Sequence, residues 1–335
     1  MTHAVAEWRN VDIETFRNEI RPAGKPAILR GLVAHWPAVQ AGMRSPRAFC
    51  DYLDAFHSDQ PVDTLVGDPS INGHFFYRED MSGGNFERTR APLRAALARL
   101  LTCLDDPAPP ALSVQAASVA AVLPGFAEQN QQPLLGVGAQ PRIWIGNAVI
   151  VQTHYDLWYN IACVVAGQRR FTLFSPQETT NLYVGPFDFT PAGTPVSMAS
   201  LESPDFEHHP RLRRALAAAH TAELEPGDAL YVPFLWWHHV RSIGPFNALV
   251  NYWWNEQPRP GAAYDCLLHA AMRLRDLPAD QRAAWRCMFD HFVFRVEGEP
   301  MAHLAPEHRG MLGPMDPERI RQIRLILARS LGPEG

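Results

Sequence analysis

The sequence predicts a mainly β fold with flanking helices (α+β), in which many short strands form one closed or sandwiched antiparallel unit. Between residues 142 and 254, short apolar runs are separated by turn residues, a pattern typical of strands. Helical spacing of apolar residues occurs only before and after this region, apart from one short segment inside it. Strands that follow one another without intervening helices argue against a doubly wound parallel sheet.

The individual elements follow from local patterns. Apolar residues with helical spacing predict helices at residues 13–19, 46–56, 91–104 and 211–220, and a short strand is expected at 25–31. Later strands are expected at 142–145, 148–153, 159–165, 170–174, 230–240 and 247–254, with Ala166-Gly167 as a tight link between two of them. Residues 180–210 are rich in Pro and acidic residues and are expected to form a surface loop.

These patterns divide the chain into three parts. Residues 1–125 form an N-terminal helical and extended cap, residues 126–258 form the β core, and residues 259–335 form a C-terminal helical region. The last helix begins at Asp316-Pro317, an N-cap followed by Pro in the first turn. Its apolar stripe needs a partner surface, either in its own domain or on a second subunit, and we expect this region to mediate formation of a homodimer.

Composition restricts the function classes. The 335 residues are 47% hydrophobic and 19% charged, as in an ordinary globular protein, and the net charge of -5 disfavours a nucleic-acid platform. The N-terminus lacks the pattern of a secretory signal, and no segment approaches the ~18 apolar residues of a membrane span. Five scattered cysteines without a Cys-x-x-Cys pair indicate reduced structural thiols, which favours a cytoplasmic location.

Two short motifs together indicate a metal site. In His154-Tyr155-Asp156, the imidazole and the carboxylate are two residues apart, so they point to the same face of a strand. Residues 227–238 form a turn and an apolar strand that ends in His238. Two imidazoles and one carboxylate with open coordination positions suit a non-heme Fe(II) oxygenase.

The spacing of Gly227, Pro233 and His238 matches the second metal motif of the cupin jelly roll, with Leu235 where that motif usually has Gly. Residues 142–255 therefore resemble the JmjC-type, cupin-8 branch of the Fe(II)/2-oxoglutarate-dependent oxygenases. Residues 24–31 and 75–80 also have this family's character. The resemblance implies a double-stranded β-helix that uses Fe(II), 2-oxoglutarate and O2 to hydroxylate a protein side chain or a small molecule.

Carried over residue by residue, the resemblance assigns His154, Asp156 and His238 to the metal, with His239 as the rival for the last position. Strand alternation lets only one of the two adjacent histidines face the ion. The resemblance also assigns the co-substrate to residues that match the family's polar positions, namely Asn160, Arg169 and Asn251.

The chain departs from the family pattern around the co-substrate. Arg169 stands where relatives have Lys, Val151 where they often have Ser or Thr, and Ser113 where a Tyr often helps to hold the distal carboxylate. Arg169 could replace the Lys in an adapted pocket, the anchor could be lost, or Arg169 could be merely solvated. Two other functions therefore stay open: a metal-holding cupin that acts as a binding module, and a metal-dependent enzyme of another reaction type.

Overall fold

The computed structural model describes residues 3–136, 138–255 and 262–331. They form two compact units, residues 1–260 and residues 261–335. The first unit is built around a thirteen-stranded sheet. Its strands are β1 (His3–Ala4), β2 (Ala6–Arg9), β3 (Ala27–Arg30), β4 (Pro61–Gly67), β5 (His74–Phe75), β6 (Phe86–Pro92), β7 (Ala111–Ser118), β8 (Pro141–Gly146), β9 (Ile150–His154), β10 (Tyr159–Phe174), β11 (His220–Leu224), β12 (Ala229–Val232) and β13 (Trp237–Trp254).

Helices flank this sheet, most of them before β8. In the first unit they are α1 (Ile13–Thr15), which continues as a π-helix (Phe16–Ile20), α2 (Pro37–Arg44), α3 (Pro46–Asp54), α4 (Leu93–Thr102), α5 (Val119–Val122), α6 (Phe126–Gln129) and α7 (Leu212–Ala217). Short 3-10 helices are found at Pro69–Ile71 and Pro176–Asn181. The helices predicted from apolar spacing are therefore present, with ends shifted by a few residues.

The sheet has the strand order β2-β3-β12-β10-β13-β8-β7-β4-β6, with β1 beside β11 and β5 beside β9. The long strands β10 and β13 pair antiparallel from Tyr159↔Trp254 to Phe174↔Trp237. Each of them bends so that its two halves pair with different neighbours: β10 with β11 and β12, and β13 with β8 and β9. This arrangement is the predicted jelly roll with flanking helices, sandwiched rather than closed into a barrel.

The division into strands differs from the sequence prediction at three places. Ala166-Gly167, expected as a link between two strands, is instead a bulge inside the continuous β10. Gly167 adopts φ +70°, and a Cβ there would lie 2.3 Å from Oδ1 of Asn247. The bulge therefore requires a residue without a side chain at this position. The predicted strand 230–240 is interrupted, because β12 ends at Val232 and β13 begins at Trp237. The predicted gap before the strand 247–254 is absent, because β13 continues from Trp237 to Trp254.

The bulge decides which residues face the interior. Ala162 and Val164 before the bulge and Phe171 and Leu173 after it belong to the same buried apolar cluster. An unbroken strand would place even-numbered and odd-numbered residues on opposite faces. The extra residue shifts the alternation by one and brings Arg169 to the same face as the distant Asn160.

The segment expected as a cap also contributes strands. β4, β6 and β7 extend the sheet beyond β8, and β3 pairs with β12. Asp228, in the turn before β12, accepts hydrogen bonds from the backbone N–H of Gly31 (2.9 Å) and from the Arg30 guanidinium (2.5 Å). The turn motif and the N-terminal motif thus stabilise each other. The expected boundary at Pro258 to Gly261 lies outside the described residues.

The second unit consists of α8 (Ala262–Leu274), α9 (Ala279–Phe292) and α10 (Pro317–Ser330), with 3-10 turns at Pro306–His308 and Gly310–Leu312. The Asp316 side chain accepts a hydrogen bond from the backbone N–H of Arg319, which is the predicted N-cap of α10. Many large apolar side chains of this unit are exposed, including Leu325, Ile326 and Leu327. Among the described residues, no helix combines the length and the hydropathy that a membrane crossing requires.

Candidate metal centre

The three predicted ligands come from two neighbouring strands and the loop after one of them. His154 is the last residue of β9, and His238 is the second residue of β13. Asp156 lies two residues beyond His154 in the loop, so the prediction that both share one strand face is wrong because β9 ends at His154. His154 and His238 are directly opposite each other in the β9–β13 ladder. Strand pairing therefore brings together residues that are more than eighty positions apart.

The ligand atoms converge. The two imidazole rings have centroids 4.3 Å apart, and Nε2 of His238 is 3.6 Å from Oδ2 of Asp156. One ligand atom from each of the three residues lies within 4.8 Å of the other two. Two imidazole nitrogens and one carboxylate oxygen on one side of a cavity form the 2-His-1-carboxylate arrangement of non-heme iron sites.

Hydrogen bonds orient both imidazoles for metal binding. Nδ1 of His154 donates to the carbonyl oxygen of Gln152 (2.8 Å), and Nδ1 of His238 donates to that of Trp236 (3.0 Å). A carbonyl oxygen can only accept, so each Nδ1 carries the proton and each Nε2 keeps its lone pair. Burial, followed by the proximity of His238, lowers the pKa of His154, which favours the neutral ring that a metal needs.

The carboxylate ligand is held by an indole. Nε1 of Trp253 donates to Oδ2 of Asp156 at 3.2 Å. Such partners orient a metal ligand and maintain its affinity for the ion. Leu235 also contributes to the site, since its backbone N–H donates to the carbonyl oxygen of Asp156. Leu235 has φ +61°, which explains why related motifs place Gly at this position.

The neighbouring His239 does not join this group. Its side chain is buried, and its Nε2 is 3.7 Å from Oε1 of Glu202, which forms an ion pair with Arg241. Strand alternation turns His239 away from the cavity that His238 lines. The structure thus places His238 beside the other two ligands.

The metal ligands line a cavity of about 350 Å³, within the size range of small-molecule sites. Its walls are mostly apolar and include Phe75, Val151 and Leu249. Arg169 enters the same cavity and is only 7% exposed. Among the described residues no acidic side chain pairs with it, and its Nε has no hydrogen-bond partner.

An unpaired buried cation is costly unless an anion joins it. Burial lowers the pKa of the Arg169 guanidinium to about 10, so the group stays charged at neutral pH. The cavity therefore combines a metal-binding face with one buried positive charge, an arrangement that fits a metal-chelating dicarboxylate. The solvated alternative for Arg169 does not agree with its burial.

Asn160 and Asn251 also line the cavity, on the adjacent strands β10 and β13. Nδ2 of Asn251 donates to Oδ1 of Asn160 at 3.2 Å, and Oδ1 of Asn251 accepts from Nε1 of Trp144 at 2.8 Å. Both amides are almost fully buried. The structure therefore brings all six predicted site residues to one cavity.

The residues that depart from the family pattern divide into two kinds. Val151 lines the cavity and offers it no polar group. Ser113, which stands where relatives often have Tyr, lies outside the cavity lining, and its hydroxyl accepts a hydrogen bond from Gln115 (2.8 Å). Gln115 itself lines the cavity, next to a register shift between Val114 and Ala117 in β7.

Sequence reasoning missed several residues of the site. Trp253 could have been found from its position two residues after Asn251, which puts both on one face of β13. Trp144 reaches the site only through strand pairing, and nothing in the local sequence indicates it. Arg88 and Gln115, on β6 and β7, also line the cavity together with Pro191, Ala192 and Gly193, and Arg88, Ala192 and Gly193 are exposed.

Comparison with known proteins agrees with this geometry. Residues 13–260 match the family described as the Cupin-like domain. The chain is 26% identical over 247 residues to Jumonji C domain-containing protein 5 of Drosophila melanogaster, which covers 72% of this chain and 57% of that protein. It is 30% identical over 152 residues to HSPB1-associated protein 1 of Bos taurus, which covers 44% of this chain and 31% of that protein.

A third relative matches over more of its own length. The chain is 26% identical over 282 residues to tRNA wybutosine-synthesizing protein 5 of Danio rerio, which covers 76% of each protein. The match to the family extends over most of the chain and includes the jelly roll and all three candidate metal ligands. This protein therefore belongs to the Cupin-like domain family, the JmjC-type branch of the cupins.

Proposed function

We propose that this protein is an Fe(II)- and 2-oxoglutarate-dependent oxygenase that hydroxylates a protein side chain or a small molecule. One observation carries the proposal: the His154, Asp156 and His238 group shares a cavity with the buried, unpaired Arg169. A keto acid that chelates a metal at one end and carries a second carboxylate at the other satisfies both features.

The side chains have separate roles in this proposal. The two Nε2 atoms and the Asp156 carboxylate would hold the ion, and Trp253 keeps the carboxylate oriented. Arg169 would neutralise the distal carboxylate through a charge-assisted pair, strengthened by its apolar surroundings. Iron with 2-oxoglutarate supplies, when bound, the activation of dioxygen that hydroxylation requires. The apolar walls exclude water from the reacting groups.

The substrate would enter at the side of the cavity lined by Arg88, Gln115 and residues 191–193. The names of the relatives refer to a domain, to association with HSPB1 and to tRNA wybutosine synthesis, so likeness alone does not select a substrate. The net charge of -5 makes a nucleic acid the less favoured class. A protein side chain or a small molecule therefore remains the proposal.

The test is succinate formation from 2-oxoglutarate when Fe(II)-loaded protein passes from anaerobic to aerobic buffer. We expect turnover that requires both Fe(II) and O2, and a loss of at least ~100-fold for His154→Ala. The control His208→Ala removes an exposed imidazole that pairs only with Asp205, and it should leave turnover unchanged.

Other outcomes would support the competing functions. Tight binding of the metal without turnover of 2-oxoglutarate would contradict the proposal and favour a binding module. Activity with Zn(II) or Mn(II) in the absence of O2 would favour an enzyme of another reaction type.

A further inference from the structure

Three polar side chains form a hydrogen-bonded row across three adjacent strands. Trp144 is on β8, Asn251 on β13 and Asn160 on β10, and all three line the cavity. Nε1 of Trp144 is 2.8 Å from Oδ1 of Asn251, and Nδ2 of Asn251 is 3.2 Å from Oδ1 of Asn160. The row begins at an indole and ends at the amide of Asn160.

The direction of every hydrogen bond in this row is determined by its first member. An indole N–H can only donate, so the atom of Asn251 that meets it must be the amide oxygen. The NH2 group of Asn251 then faces Asn160 and donates a hydrogen bond, so the atom of Asn160 that accepts it must be the amide oxygen. The hydrogen-bond network therefore fixes which atom of each amide is oxygen and which is nitrogen, even though the two atoms are similar in size.

We infer that Trp144 is a positioning residue for the co-substrate: it fixes the amide of Asn160 so that its NH2 group faces the cavity. The cavity then offers a hydrogen-bond donor at Asn160, and the ligand atom there is an acceptor such as a carboxylate or keto oxygen. This inference rests on the proposed function, since it concerns how 2-oxoglutarate is held.

Without the indole N–H, both asparagines could rotate by half a turn and keep the bond between them. The rotated Asn160 would present its oxygen to a carboxylate, and the two acceptors would repel each other. The Trp144 ring also packs edge-on against Trp253 at 5.9 Å, and Trp253 holds Asp156. Trp144→Phe retains an aromatic ring for that contact and removes the donor together with part of the indole's volume.

The experiment measures Mn(II) binding and then 2-oxoglutarate binding to the Mn(II)-loaded full chain by calorimetry. For Trp144→Phe we expect 2-oxoglutarate to bind about ten-fold more weakly, from a hydrogen bond to a charged group, and Mn(II) affinity to stay within about two-fold of the wild type. In the turnover assay with Fe(II), the KM of Trp144→Phe for 2-oxoglutarate should rise while kcat changes little. The matched control Trp285→Phe, at an exposed position of α9, should change none of these values.

Asn251→Asp provides a second variant in case Trp144→Phe does not fold, which a melting curve will show. An aspartate still accepts from Trp144 but cannot donate to Asn160, so 2-oxoglutarate binding should weaken by at least as much. Wild-type affinity for 2-oxoglutarate in either folded variant would overturn the inference. A parallel loss of Mn(II) affinity in Trp144→Phe would also overturn it in favour of a structural role. Failure of the wild-type protein to bind 2-oxoglutarate would overturn the proposed function itself, and this inference with it.

Discussion

Arg169 offers a test in which stability and ligand binding should change in opposite directions. The guanidinium is 7% exposed and has no acidic partner among the described residues. Arg169→Met keeps most of the volume of the side chain and removes the charge. Because the free protein no longer buries an unpaired cation, we expect its free energy of unfolding to rise by about 1–2 kcal/mol. For a unit of this size, each kcal/mol raises Tm by roughly 2–4 °C.

The same substitution should abolish most of the affinity for 2-oxoglutarate. Removing one partner of a buried, hydrogen-bonded charge pair costs about 2–5 kcal/mol. A loss near 3 kcal/mol corresponds to roughly 150-fold in Kd. Calorimetry with Mn(II)-loaded protein measures the affinity, and thermal melting of the free protein measures the stability.

The adjacent Arg170 is the matched control. It is exposed and donates to Glu223 at 2.6 and 2.9 Å, so Arg170→Met should leave both the Tm and the 2-oxoglutarate affinity nearly unchanged. Wild-type affinity for 2-oxoglutarate in Arg169→Met would refute the assignment of Arg169 as the anchor. A fall in Tm for that variant would instead refute the argument that its charge is unpaired.

Three further outcomes are expected. Trp253→Phe removes the hydrogen bond to Asp156 and should weaken Mn(II) binding by about 10–100-fold in a metal titration, whereas unchanged affinity would show that the indole does not orient the ligand. His238→Gln should nearly abolish metal binding while His239→Gln leaves it within a few-fold, and the reverse result would exchange the two residues in the site. We propose a homodimer through the C-terminal helices, so light scattering should give twice the 37.5 kDa of one chain, and Leu327→Glu should yield the monomer; a monomeric wild type would contradict this.

The jelly roll and its flanking helices were accessible from the sequence because their signals are local. The periodicity of apolar residues changes along the chain where helices give way to strands, and turn residues mark most of the strand ends. The Ala166-Gly167 pair illustrates the limit of such signals. A turn and a bulge use the same glycine conformation, and only the pairing of β10 with β13 shows that the strand continues.

The candidate site also has a part that the sequence indicates and a part that only the tertiary structure shows. By itself, the sequence identified the candidate metal ligands, because His154 and Asp156 are only two residues apart and His238 follows a short turn motif, although Asp156 lies just beyond the end of the strand. The tertiary structure alone decided that Arg169 is buried with no acidic partner in the described part of the chain, and that Trp144 and Trp253 donate hydrogen bonds to polar groups of the cavity. The burial of Arg169 and the hydrogen bond of Trp144 depend on strands that are distant in the chain, so no local pattern encodes them, whereas the spacing of Trp253 from Asn251 is a local signal.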